Sequence, residues 1–402
     1  MILIEERRYN KIALLLFILI VSYILTDSPF ILSIYTSVFF RYLLFLIIIN
    51  FSFFMIFKKK KNIVFLVFLA FFIIQFLYYV SSGANFWESY NNLMCFSLAI
   101  VLMLFANRSY SLKILLTNFY FSIVLLFSIL SIISFITFNL DIAPFELKAV
   151  GEGLDVYWSY HNYLLGYVSI RNYEMGDIGR VCGFMFEPSY QAWFLSTNLF
   201  LVSKYLENKR YLRVVQLIVF LGALSTFSTM AWIVLTILFV SISVFKLFSL
   251  LRLKKKTANI LYTLIIVLGI LTIFAVVNTD KIIEKLGTSS ADDRTDRIDT
   301  SFLYLTSASS KEYLLGRGPG YIGDHNDRGE SNPTIKSLVE NGLVVTVFIM
   351  IFIVYCTYKS KYYMIATLLF LNSVVILFTP LFIINMLVCR WMDESELESE
   401  KE

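Results

Sequence analysis

The chain alternates between long runs of apolar residues and short polar connections. A helix needs about 20 apolar residues to cross the roughly 30 Å core of a bilayer, and many of the runs approach that length. The pattern predicts an all-α polytopic membrane protein with about 11 transmembrane helices, within a range of about 10–12. The last run contains Pro380 and fits either one tilted helix or a hairpin broken at that proline. The runs lie at about 12–26, 31–57, 62–80, 93–106, 114–137, 188–203, 213–229, 230–250, 258–277, 337–357 and 362–389.

Two long polar segments interrupt the apolar runs, and they are where we expect polar chemistry. They divide the chain into five parts. These parts are transmembrane helices 1–5 in 1–137, a first loop in 138–187, helices 6–9 in 188–277, a second loop in 278–336, and the C-terminal helices with an acidic tail in 337–402.

The distribution of lysine and arginine predicts the orientation, since basic residues in short loops stay on the cytoplasmic side. Arg7 and Arg8 precede the first run and Lys58–Lys61 follow the second, whereas the loop at 81–92 has no lysine or arginine. Every second connection is basic in this way. The N-terminus is therefore predicted to be cytoplasmic, and both long loops are predicted to face outward. The first run lacks a small-residue cleavage site, so we expect it to be retained.

Composition agrees with the membrane class. Hydrophobic residues make up 58% and charged residues 16% of the 402 positions, and the mean hydropathy is +0.74. The net charge of +5 comes mostly from the basic connections, so no nucleic-acid partner is predicted. Of the four cysteines, only Cys182 lies away from the apolar runs, which indicates neither a disulfide framework nor a zinc site.

Arg41 is the charged residue most clearly embedded in an apolar run. It lies toward the outward end of that run, where it either extends to the lipid headgroups or lines an outward cavity and contacts a phosphate. An ion- or proton-coupled transporter usually carries carboxylates or histidines near the membrane midplane, so the pattern disfavours transport.

The first loop contains a stretch rich in aromatic residues that includes Tyr160 and His161. Such side chains either pack against sugar rings or form a belt at the membrane surface. Bulky and polar residues alternate there over a length too short to span, and we expect an interfacial or re-entrant helix at about 156–170.

The first loop ends in a charged motif that contains Arg180, Gly183 and Glu187, followed by Pro188. An arginine at the membrane surface can hold a phosphate through two hydrogen bonds, and Glu187 could share that site as an acceptor or base. Alternatively, Arg180 and Glu187 form a structural ion pair where the chain re-enters the membrane. Pro188 suits the first turn of a helix, whose dipole would keep Glu187 ionised and so weaken it as an acid.

The second loop carries further arginines and a glycine cluster. Arg294 and Arg297 are three residues apart and are expected on one face of a solvated helix. The segment Gly316–Gly320 contains three glycines around Arg317 and Pro319, and its backbone amides could approach an anion.

The segment Asp324–Asp327 resembles a metal cluster because two aspartates flank His325 and an asparagine. Adjacent side chains point apart, however, and no second histidine is near. No metal site and no cofactor are predicted.

Four elements of the sequence occur in a fixed order. Arg-x-x-Gly-x-x-x-Glu-Pro at Arg180–Pro188 is followed by Gly-x-Gly-x-Gly at Gly316–Gly320, then by Ser331-Asn332, then by Glu-x-Gly at Glu340–Gly342. Together with the two outward loops, this order resembles the bacterial O-antigen and exopolysaccharide polymerases of the Wzy type, relatives of the O-antigen ligases. The topology covers nearly the whole chain, whereas the motifs are short.

The resemblance implies a GT-C-like fold and a metal-independent glycosyltransferase at the outer face of the bacterial cytoplasmic (inner) membrane. The donor would be a growing glycan on a polyprenyl diphosphate, and the acceptor would be a single repeat unit on the same kind of carrier. The implied partners are these lipid-linked glycans and the bilayer, with a chain-length regulator and a flippase. The alternatives are an O-antigen ligase, which passes the glycan to a lipid A core, and a lipid-linked oligosaccharide flippase or transporter.

The chain departs from the ligase-like relatives at one position. Those relatives have a histidine before the asparagine, where this chain has Ser331, and His325 lies six residues earlier. The departure favours a polymerase, whose base would be His325 or a carboxylate such as Glu187 or Glu330.

The resemblance also implies roles for individual residues. Arginines from the two loops would converge on the diphosphate while a base takes the proton of the attacking sugar hydroxyl. The implied catalytic residues are Arg180, Glu187 and His325. The implied substrate-binding residues are Arg41, Tyr160, His161, Arg294, Arg297, Arg317, Ser331 and Asn332.

Overall fold

A computed structural model gives the arrangement of most of the chain. The residues it describes are 2–27, 37–57, 63–106, 110–140, 142, 158–163, 166–171, 178–185, 187–206, 208–250, 302–325, 332–371, 374 and 376–399. The predicted run at 258–277 lies outside them.

Every predicted apolar run that falls within the described residues contains a helix. Residues 302–306 are helical as well. The helices are α1 Ile2–Asp27, α2 Val38–Phe57, α3 Ile63–Ser81, α4 Phe86–Ala106, α5 Tyr110–Asn139, α6 Pro188–Tyr205, α7 Lys209–Ser225, α8 Thr229–Leu250, α9 Ser310–Leu315, α10 Tyr321–His325, α11 Pro333–Thr357, α12 Lys361–Phe370 and α13 Pro380–Ser399.

Two helices of the described part, α5 and α11, are long and apolar enough to cross a membrane. The structure therefore does not give the eleven full-length spans that the sequence predicts.

The last apolar run forms two helices, so the single tilted helix is the wrong alternative. α12 ends at Phe370, and α13 begins at Pro380. Proline suits the first turn of a helix because its nitrogen has no hydrogen to donate to a preceding carbonyl.

A three-stranded antiparallel sheet occupies part of the first loop. Its strands are β1 Trp158–Tyr163, β2 Gly166–Arg171 and β3 Ile178–Gly183, in the order β1-β2-β3. The expected interfacial helix at 156–170 is therefore wrong, because alternation of bulky and polar residues is the period of a strand. β3 packs against α5 and α6, where Val181 contacts Phe135 and Phe138 near the end of α5.

The bundle has two distinct polar ends. At one end, which we call the loop end, Asn91 Nδ2 of α4 donates to the Phe378 carbonyl, just before α13 begins (3.2 Å). At the other, the ion-pair end, Lys113 at the start of α5 lies 2.9 Å from Glu394 and Lys204 at the end of α6 pairs with Asp393. Both lysines belong to connections predicted to face the same side, and the structure places them together.

Candidate functional site

Helix α11 bends sharply at the loop end. Gly342 has backbone angles of φ 75° and ψ 172°, which no α-helix contains. The bend divides α11 into a short arm, Pro333–Asn341, and a long arm, Leu343–Thr357. The carbonyls at the end of the short arm lack helical partners and need donors from elsewhere.

The segment Gly316–Gly320, which we call the glycine loop, supplies two of those donors. The Arg317 N–H donates to the Val339 carbonyl and the Gly318 N–H donates to the Glu340 carbonyl, both at 2.9 Å. These two amides are thus occupied, so the expectation that they could approach an anion is wrong for them. The loop caps a broken helix instead.

Helix α3 supplies the remaining caps. Gln75 Nε2 and the Tyr79 hydroxyl donate to the Asn341 carbonyl at 3.3 and 3.1 Å. The Tyr79 oxygen also lies 3.0 Å from the Leu315 carbonyl, and Asn92 Nδ2 donates to the Asn341 amide oxygen at 2.9 Å. Helices α3 and α4 therefore hold the bend and the glycine loop together.

Glycine is required where the loop meets the bend. A Cβ on Gly342 would lie 2.5 Å from the Leu314 carbonyl oxygen, and one on Gly316 would lie 2.6 Å from the Asn341 carbonyl carbon. Both glycines have positive φ, at 87° for Gly316 and 75° for Gly342. The two backbones touch because neither residue has a side chain.

The Arg317 side chain extends from the glycine loop and contacts several polar groups. Its guanidinium donates to the Tyr321 hydroxyl at 2.7 Å and to Ser307 Oγ at 3.0 Å, and its Nε lies 3.8 Å from the Glu312 carboxylate. Its side chain is only 10% exposed. The group is therefore held in place and largely shielded from solvent.

Tyr321 links Arg317 to His325. The Arg317 guanidinium carbon lies 5.0 Å from the centre of the Tyr321 ring, and that ring stacks on His325 with centroids 4.1 Å apart. Tyr304 completes the group by packing edge-on against Tyr321 and donating to the His325 carbonyl at 2.7 Å. We call Arg317, Tyr321 and His325 the stacked column.

The hydrogen bond of His325 determines which ring nitrogen carries its proton. Nδ1 lies 2.9 Å from the Tyr321 carbonyl oxygen. Because a carbonyl only accepts, Nδ1 must be the donor, and in the neutral ring Nε2 keeps its lone pair. The side chain is exposed, so Nε2 can receive a proton.

Glu340 is a buried carboxylate between the bend and the column. One oxygen accepts from the Ile322 N–H at 3.1 Å, and the other lies 3.8 Å from Lys336 Nζ. Its side chain is 3% exposed. The sequence indicated Glu340 only as part of a short motif, whereas here it fixes the start of α10 and thereby the residues of the column.

Glu312 and Ser309 form the cap of α9. The Glu312 carboxylate accepts from the Ser309 N–H at 2.8 Å, and the Ser309 hydroxyl accepts from the Glu312 N–H at 3.3 Å. The pKa of Glu312 is held below its ordinary value. The largest cause is the hydrogen bond from the Ser309 N–H, the next is the Ser309 hydroxyl, and the charge of Arg317 contributes less.

Arg180 lies in β3, opposite Ser169 of β2, and its side chain is half-buried. The sheet rests on α5 and α6, whereas the glycine loop rests on α3, α4 and α11. The segments that carry Arg180 and Arg317 therefore pack on different helices. The convergence of the two guanidinium groups stays a prediction.

Glu187 is exposed at the N-terminus of α6 and caps no backbone N–H with its side chain. Its carboxylate accepts from Ser189 Oγ at 2.8 Å. The structural Arg–Glu pair considered from the sequence stays a prediction.

The other predicted site residues have different positions. Arg41 is half-buried near the start of α2, next to Tyr42, whose ring stacks on Trp87 of α4 at 5.0 Å. Asn332 caps α11 by accepting from the Thr334 and Ile335 N–H groups. Tyr160 and His161 lie opposite Ser169 and Val168 in the sheet. Arg294, Arg297 and Ser331 lie outside the described residues.

No family model, curated protein or solved structure matches the chain. Its function must therefore be argued from the arrangement at the loop end.

Proposed function

We propose that the chain is a multi-pass membrane protein with about 11 spans and a cytoplasmic N-terminus. Two features support this beyond α5 and α11. Large apolar side chains are exposed on the outer faces of most of the long helices, including Leu15, Phe39, Leu126, Leu217 and Val354. Water is a poor solvent for such a surface, whereas lipid is a suitable one. Charged groups gather at the two ends of the bundle.

We propose further that the protein joins oligosaccharide repeat units carried on polyprenyl diphosphate at the loop end. In this reaction the hydroxyl oxygen of the acceptor sugar attacks the anomeric carbon of the donor glycan. The bond from that carbon to the diphosphate oxygen breaks, and the hydroxyl proton passes to a base. Such a reaction needs a base near the hydroxyl and cations near the departing diphosphate.

The observation that carries the proposal is the stacked column. It places an exposed imidazole with a free Nε2 lone pair and a held guanidinium against the same aromatic ring, that of Tyr321. Aromatic rings suit sugar faces, and a held guanidinium suits a phosphate. His325 is the proposed base and Arg317 the proposed diphosphate contact.

Arg180 and Glu187 belong to the second half of the proposed site. Both lie at the junction of β3 with α6, at the end of α5 opposite Lys113. Arg180 would offset charge on the diphosphate, and Glu187 would contact a sugar hydroxyl. Arg41, near Trp87 at the loop end, is a further candidate for the diphosphate.

The proposal is tested by deleting the gene in its host and separating the surface glycan by length. Loss of a polymerase leaves single-repeat glycan, loss of a ligase leaves no glycan on the lipid core, and loss of a flippase leaves intermediates on the cytoplasmic face. Only the first result supports the proposal.

Variants then test the site in the same host. Arg180→Ala and Arg317→Ala should each give the single-repeat pattern at normal protein levels. Arg213→Ala is the matched control, because Arg213 is an exposed arginine near the start of α7. A normal length ladder in either test variant would remove that arginine from the proposed site.

A further inference from the structure

Helices α6 and α13 lie side by side in parallel. The Trp193 and Phe382 rings lie 6.0 Å apart, and Lys204 pairs with Asp393 further along both helices. The two pairs share the same sequence offset of 189 residues. The helices therefore keep one register over about 16 Å, and this register places Ser196 opposite Asn385.

Several polar groups at this level are fully buried. Trp193, Ser196 and Asn385 each have 0% of their surface exposed. The Trp193 indole N–H, the Ser196 hydroxyl and both polar atoms of the Asn385 amide have no hydrogen-bond partner among the described residues. In most proteins such groups are satisfied by protein or by ordered water.

Helix α12 brings a further buried hydroxyl to the same level. Ser360 donates to Asp393 at 2.9 Å, which fixes the start of α12 at the ion-pair end. Counted from these two residues, Thr367 lies about 10 Å along α12 and Asn385 about 12 Å along α13. The Thr367 hydroxyl is fully buried and lies next to the Tyr363 hydroxyl, one helical turn earlier. We call Trp193, Ser196, Thr367 and Asn385 the core polar cluster.

The chemistry of the cluster selects an uncharged ligand. None of its four side chains carries a charge, so an ion bound there would lack a counter-charge. The ligand must accept from an indole, which only donates, and must also donate to an amide oxygen. Water does both, and it is small enough for a site enclosed by three helices.

We propose that the core polar cluster binds about two water molecules, given that each buried water makes about three hydrogen bonds. The waters connect α6 to α13 and satisfy groups that the protein leaves without partners. This hydrated site lies inside the helix bundle, and it does not depend on the proposed glycosyltransferase activity.

The test is a nuclear Overhauser experiment on the full-length protein in detergent micelles, with ¹⁵N-labelled tryptophan. Trp193→Phe identifies the Trp193 indole signal by its loss. We expect a cross-peak between this indole proton and water, and we expect Asn385→Leu to abolish it. Thr197→Val is the control, because the buried Thr197 hydroxyl already donates to the Trp193 carbonyl at 2.8 Å, and it should leave the cross-peak unchanged.

Thermal unfolding gives a second measurement. Asn385→Leu should lower the melting temperature by about 2 °C or more, because it leaves the water and its other partners unsatisfied. Ser196→Ala, which removes one oxygen atom, serves if the leucine variant does not fold. An indole proton without a water cross-peak, or with one to detergent protons instead, would overturn the proposal, as would a higher melting temperature in these variants.

Discussion

The hydroxyl oxygens of Ser337 and Thr346 lie 2.9 Å apart although nine residues separate them. Nine residues of a continuous helix rise about 13 Å, so this contact requires the bend at Gly342. The bend exposes the carbonyls that the glycine loop and α3 then cap. The position of Arg317, and through it the stacked column, depends on this one interruption of α11.

Cysteines at these two positions should form a disulfide. In a variant without the native cysteines, S337C and T346C would lie close enough for a bond, whereas a straight helix would hold them too far apart. Loss of thiol labelling after mild oxidation measures the result. V345C with V354C, nine residues apart in the long arm, is the control and should keep both thiols. Failure of S337C and T346C to react would disprove the bend.

Gly342→Ala should destabilise the protein by at least about 1–2 kcal/mol, because alanine disfavours the positive φ and its Cβ would meet the Leu314 carbonyl. Thermal unfolding in detergent measures the change. Gly323 in α10 is the matched control, since a Cβ there meets nothing within 4 Å. Gly323→Ala should be neutral or slightly stabilising. Equal effects of the two substitutions would contradict the account of the bend.

Asp393→Asn should lower the free energy of unfolding by about 3–5 kcal/mol, because it leaves the Lys204 ammonium beside a buried neutral group. The Asp393 side chain is 0% exposed. At the same end, Glu394 is 29% exposed and its pair with Lys113 is partly solvated, so Glu394→Gln should cost about 1 kcal/mol or less. Chemical denaturation of both variants in one detergent gives the comparison, and a smaller loss for the Asp393 variant would refute the buried pair.

The cap of α9 should weaken in acid. Since the pKa of Glu312 is lowered in the folded protein, its ionised form stabilises the cap above the ordinary glutamate pKa. That contribution is lost as the pH falls through the lowered folded pKa. Hydrogen exchange of a peptide covering 302–315 should show more protection than in Glu312→Gln at neutral pH, and the difference should disappear in acid. A difference that persists at low pH would contradict this assignment.

His325→Ala should reduce the rate of glycan joining by about 10²–10⁴, the usual contribution of a general base. The measurement is polymer formation by isolated membranes supplied with lipid-linked repeat units. Asp324→Asn is the control, because Asp324 is an exposed neighbour in the same short helix, and it should keep the rate. A fully active His325→Ala variant would show that His325 is not the general base.

Local patterns predicted the elements whose causes are local. Apolar run length placed the helices, and Pro188 marked the start of α6. The same kind of pattern misled at 156–170, where a period of two indicated strands and a helix was expected. Tyr321 and His325 of α10 are spaced by four, a helical signal that was available in the sequence and was missed.

The amino-acid order by itself determined that this chain is mostly apolar helix with its charges confined to connections, because burial and periodicity act on neighbouring residues. Only the tertiary structure decided that Gly316 meets Gly342, that Glu340 holds the N-terminus of α10, and that Lys204 pairs with Asp393. Each of these contacts joins separate elements. Which amide finds which carbonyl depends on how whole helices pack, and no local pattern encodes it.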